Sequence, residues 1–120
     1  MNRRVIAAVS DMLFASKIRG TAEHLNVSVD FARTEVGVFD SAKADVPSLI
    51  ILDLHDTRLD PFGLAARLKE DEQLRAVPLV GFFSHVEKEL QRRAVEAGVE
   101  HVLPRSVFTR RLAEILSGEL

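Results

Sequence analysis

The sequence predicts an α/β fold, a parallel five-stranded sheet covered by helices on both faces. Three observations carry this. Short apolar runs alternate with amphipathic stretches along all 120 residues. The runs are too short for helices and rich in β-branched residues, as suits strands buried on two sides. The stretches between them open on helix-start signals such as Asp11, Asp60-Pro61 and Ser84. Such alternation at this length is satisfied by strands joined through crossover helices. No internal repeat, low-complexity stretch or linker interrupts it, so residues 1–120 read as a single domain.

The elements follow in order. Val5–Val9 is a continuous apolar run and the first strand. Asp11 caps a helix through about Leu25, with Leu13, Phe14, Ile18, Ala22 and Leu25 at helical spacing, and Asn26 closes it. Val27–Phe31 alternates and predicts a second, less buried strand. Glu35–Ala44 is read as a short helix. Leu49–Leu54 is the strongest strand signal, with Asp53 planted near its end. After the polar connector His55–Asp60, a cap and an N1 proline start a helix that runs to about Glu70. Pro78–Phe83 is the fourth strand. Ser84 and Glu87 have the spacing of a capping box, which predicts a helix from there to Gly98. His101–Leu103 is a short fifth strand. Ser106 caps a last helix whose inner face carries Phe108, Leu112, Ile115 and Leu116.

Composition narrows the function. Sixteen Lys+Arg stand against 18 Asp+Glu, a net charge of −2, which excludes the basic excess of a general nucleic-acid binder. The chain has no cysteine, so thiolate catalysis and Cys-ligated metal centres are excluded. Arg3-Arg4 before Val5–Val9 imitates a secretory signal, but Ser10-Asp11 ends the apolar run too early. No segment approaches the ~20 apolar residues of a membrane span. A soluble, cytoplasmic protein without a membrane partner is expected.

In a parallel sheet of this kind the working residues lie at the carboxyl ends of the strands. Asp11 and Asp53 are brought together there. Two close carboxylates call for a cation or a shared proton, and Arg105 supplies positive charge to the same pocket. Such a set suits phosphoryl transfer onto a carboxylate. Asp11 can also serve simply as a helix cap. Asp53-x-His55-Asp56 is better read as an exposed loop than as a transition-metal site, and His24, His55, His85 and His101 lack ligand spacing. Lys88, Arg92 and Arg93 are offset by Glu87 and Glu89, as on a solvated helical face.

Over essentially its whole length the chain resembles a response-regulator receiver domain. The resemblance rests on Val5 to Asp11 (VIAAVSD), Pro47 to Leu54 (PSLIILDL), Arg58-Leu59-Asp60 with Gly63, Val77 to Val80, and Ala97-Gly98-Val99-Glu100 through Phe108. It implies a flavodoxin-like (βα)5 three-layer sandwich with strand order 2-1-3-4-5. It places Asp53 on the phosphoacceptor and Asp11 on the acid that touches Mg²⁺. His55 falls where a backbone carbonyl completes the metal site. The departures are as informative. Ser10 replaces the first acid of the pair, Arg105 the lysine, and Ser106 the proline after it. Phe83 stands where a Ser or Thr would bond the phosphoryl group, and Ser84 lies one position on, facing the other way. Val102 stands where a switch aromatic is common, so the Phe83 ring can fill the slot. Arg105, a planar fork, is expected either to pair bidentately with Asp53 or to lie on the surface.

The implied function is a signalling module of the two-component type, taking phosphate on Asp53 from a histidine kinase or phosphotransfer protein. The alternative is an atypical receiver that works without phosphate, as a protein-interaction or dimerisation module through the helix 4 to helix 5 face. Val99, Val102, Pro104 and Phe108 are candidate contacts there. An enzyme is not expected. The aspartyl-phosphate hydrolase pattern needs an acid two residues after the nucleophile, whereas Asp56 is three residues on. No glycine-rich phosphate loop follows the first strand.

Overall fold

The computed structural model describes residues 3–84 and 87–120. Strands and helices alternate as β1 (Arg4–Ala8), α1 (Met12–His24), β2 (Ser28–Phe31), α2 (Glu35–Ala44), β3 (Leu49–Asp53) and α3 (Pro61–Glu70). The chain continues through β4 (Leu79–Phe83), α4 (Lys88–Glu96), β5 (His101–Pro104), α5 (Arg105–Arg110) and α6 (Leu112–Ser117). The five strands form one parallel sheet in the order β2-β1-β3-β4-β5.

The period of two along each strand sorts the core into two layers. Ile6, Ala8, Ile50, Leu52, Leu79 and Phe83 face α2, α3 and α4. Val5, Ala7, Leu49, Ile51, Val80 and Phe82 face α1, α5 and α6. Val5–Ala8 of β1, Leu49–Leu52 of β3 and all of β4 are therefore apolar and buried, because helices cover both of their faces. Edge strand β2 alternates half-buried and exposed residues. Gly81 in β4 admits the Leu54 side chain, which would lie 2.9 Å from a Cβ at that position.

Several local expectations hold in detail. The Asp11 and Asp60 side chains cap α1 and α3, each accepting from a backbone N–H three residues on, and Thr34, not foreseen, caps α2 in the same way. Asn26, at φ 57°, turns the chain out of α1, and Gly98, at φ 101°, does the same after α4. Others are corrected. Leu13, grouped with Phe14 and Ile18 by helical spacing, is 85% exposed, because Phe14 and Ile18 take the core-facing positions. The helix expected from Ser84 begins at Lys88, with Glu87 at its N-cap and no side-chain cap bond. His85 lies outside the described residues. Ser106 sits within a helix that Arg105 opens, behind Pro104 at the N-cap. That last helix breaks at Arg111 into α5 and α6, yet Phe108, Leu112, Ile115 and Leu116 are all buried as expected. Among the described residues no helix is long and apolar enough to cross a membrane.

Candidate functional site

The parallel register places β1 beside β3 and β3 beside β4, so their carboxyl ends open on one side of the molecule. Asp53 is the last residue of β3 and lies opposite Phe82. Its side chain is half-buried, and one oxygen, Oδ1, accepts the His55 N–H at 3.0 Å. Burial pushes the Asp53 carboxyl above its ordinary value; the His55 N–H opposes this, and the charge of Asp56 adds to the rise.

Asp11 stands in the opposite situation. Its Oδ1 accepts the Phe14 N–H at 3.1 Å, and its Oδ2 accepts from Arg105 Nη2 at 3.0 Å. The Phe14 N–H first, and the Arg105 bond next, hold its carboxyl below the ordinary value. Arg105 thus bonds Asp11 singly and makes no hydrogen bond to Asp53, against the bidentate pairing expected. The reason is an aromatic floor that draws the guanidinium to the α1 side. Arg105 lies 4.4 Å from the Phe14 ring centroid and 6.0 Å from that of Phe82. Phe14, Phe82 and Phe108 pack on one another with centroids 4.6, 5.4 and 4.8 Å apart. The sequence did not reveal this floor. The signal that could have found it is the register, which sets Phe82 beside Asp53.

Ser10 also finds an unforeseen partner. Its hydroxyl donates to Asp56 Oδ2 at 2.7 Å, while Asp56 Oδ1 accepts the Arg58 N–H at 2.9 Å. The serine therefore ties the β3–α3 loop to the end of β1. Asp56, read from sequence as an exposed loop residue, is half-buried. His55 is half-buried too, and its Nε2 is enclosed without a hydrogen-bond partner.

The expected Mg²⁺ site would use Asp11, Asp53 and the His55 carbonyl. Its carboxylates are already partnered within the protein. A small divalent cation wants oxygen ligands in near-octahedral array. Both Asp11 oxygens are engaged, one of them by a guanidinium, and both Asp56 oxygens are engaged within the loop.

Phe83 is fully buried in the layer under α3 and α4, and half-buried Val102 packs against the same cluster. Ser84 is exposed. The end of β4 thus presents a packed ring where the resemblance called for a hydroxyl. Val99 and Phe108, proposed as surface contacts on the α4 to α5 face, are buried core residues. Their apolar side chains complete the two layers instead. Val102 and Pro104 remain half-buried there. A groove of about 620 Å³ runs between α4 and β5, lined by Gln91, Arg92, Val95, Glu96, Glu100 and Val102. Arg92 is held between Glu89 and Glu96, as expected of a solvated face.

One consequence of the buried Asp53 is measurable. With its native pKa raised, the folded chain prefers the protonated form, so the ionised carboxylate costs stability at neutral pH. Asp53→Asn should raise the melting temperature at pH 7. The gain should shrink as pH falls through the native pKa, where the folded wild type takes up its proton before the unfolded chain does. Thermal melts followed by far-UV circular dichroism at neutral and acid pH check this. A gain that grew towards acid pH would contradict it.

The fold defines a class: the chain has the receiver fold of response regulators. Solved structures share it across nearly the whole chain. Vibrio cholerae chemotaxis protein CheY4 matches at TM-score 0.87 and 15% identity, covering 100% of both chains. The phosphorylated cyanobacterial phytochrome response regulator RcpA matches at TM-score 0.81 and 18% identity, covering 98% of this chain and 91% of that one. The Mn²⁺-bound form of response regulator Rcp1 matches at TM-score 0.78 and 15% identity, covering 97% and 90%. At these identities the likeness establishes the fold. No family model matches the sequence, and no curated protein matches it.

Proposed function

We propose that the chain is a non-catalytic, receiver-like signalling module of the two-component type that works by protein contact without phosphate on Asp53. The observation that carries this is Phe83. A hydroxyl at the end of β4 would bond a phosphoryl group and couple it to the β4–α4 loop; a buried phenyl ring has no donor to offer. The ring also packs in one cluster with Val102, so the slot between β4 and β5 is filled in the resting protein. The α4–β5 groove, with Val95 63% exposed beside paired charges, is the face for a protein partner or a second copy.

A second reading keeps Asp53 as phosphoacceptor for a histidine kinase or phosphotransfer protein. It is favoured by the free Oδ2 of Asp53, which accepts no hydrogen bond among the described residues. Intact-mass spectrometry after incubation with acetyl phosphate and Mg²⁺ separates the two. We expect no adduct, and no change in size-exclusion volume with beryllofluoride. A single phosphoryl adduct that Asp53→Asn abolishes would establish the second reading.

A further inference from the structure

We infer that Arg105 is the resident cation of this site, held in the place of a divalent metal and excluding one. The inference deepens the phosphate-independent reading but rests on different residues. Three contacts hold the guanidinium, and two more commit the groups around it. The guanidinium takes Asp11 Oδ2, which a metal would need. Asp11 Oδ1 is committed to capping α1. The Phe14 ring lies beneath the guanidinium and the Phe82 ring beside it. Ser10, at the position of the missing acid, contributes a hydroxyl that is already given to Asp56.

The ion pair alone would be a weak barrier, since the Arg105 and Asp11 side chains are 40% and 42% exposed. The aromatic floor is what distinguishes it. Flat guanidinium stacks on Phe14 while its edge reaches Asp11, a geometry that a compact ammonium does not reproduce. Charge completes the exclusion. Asp11, Asp53 and Asp56 carry three negative charges and Arg105 returns one positive charge, so the exclusion is local: a divalent ion at the Asp11 Oδ2 position meets the guanidinium at short range.

The test is Mn²⁺ binding, read by electron paramagnetic resonance of the free ion and by isothermal calorimetry, since the chain has neither Trp nor Tyr to report by fluorescence. The wild-type chain is expected to bind Mn²⁺ no better than Asp53→Asn does. Arg105→Ala should bind about tenfold or more tightly than wild type, because one adjacent positive charge is removed. Arg105→Lys, which keeps the charge but loses the stacking, should fall between them and shows the effect in a more conservative variant. The double variant Arg105→Ala with Asp53→Asn should lose the gain. Site-bound Mn²⁺ in the wild type, as tight as in Arg105→Ala and lost in Asp53→Asn, overturns the inference. So does Arg105→Ala, shown folded by circular dichroism, that binds no better than wild type. Neither result depends on whether acetyl phosphate modifies Asp53.

Discussion

Phe108→Ala should destabilise the chain by about 3–5 kcal/mol, the cost of emptying a fully buried aromatic site. Phe108 is wholly inaccessible and anchors the layer shared by α1, α5 and α6. It also closes the ring packing with Phe14 and Phe82, worth ~1 kcal/mol beyond burial for each well-formed aromatic pair. Domains of this size have only about 5–15 kcal/mol in hand, so the variant is expected near the edge of folding. Urea denaturation followed by far-UV circular dichroism measures it. A second readout is specific to the site. With the floor loosened, the Arg105–Asp11 pair should loosen too, and the carboxyl carbon shift of Asp11 by NMR should move towards that of an unpaired aspartate.

Phe83→Thr is the second large effect, and it acts on the other face of the sheet. The ring is fully buried among Leu54, Leu90 and Val99 in the layer under α3 and α4. Threonine leaves a cavity and adds a buried hydroxyl, which together cost about 4 kcal/mol and roughly 10–20 °C in melting temperature. If the ring locks the β4–β5 slot, hydrogen exchange should quicken in the β4–α4 connection of the variant, and partner binding at the α4–β5 face should change. A variant with the stability loss but unaltered exchange and binding would show the ring to be core filling alone.

The architecture was legible because it is written in local patterns. Runs such as Val5–Val9 and Leu49–Leu52 are apolar in every position, which only a strand covered on two faces requires. The caps at Asp11 and Asp60 depend on a side chain three residues before its own partner, so sequence suffices to place them. Leu13 and Ser84 misled for the opposite reason. Helical spacing allows either of two neighbouring residues to point inward, and Phe14 won by size against the aromatic pair across the layer. The Ser84–Glu87 spacing is only a local option, and the chain starts the helix later.

The sequence by itself determined the strand and helix alternation, the two-sided core and the end of the sheet where Asp11, Asp53 and Arg105 meet. Each of these follows from periodicity and from residues close along the chain. Which acid Arg105 takes, what Ser10 holds and whether Phe83 fills a core or lines a pocket were decided by tertiary structure alone. Those partners lie tens of residues apart. Their choice turns on an aromatic floor that exists only once α1, β4 and α5 have packed.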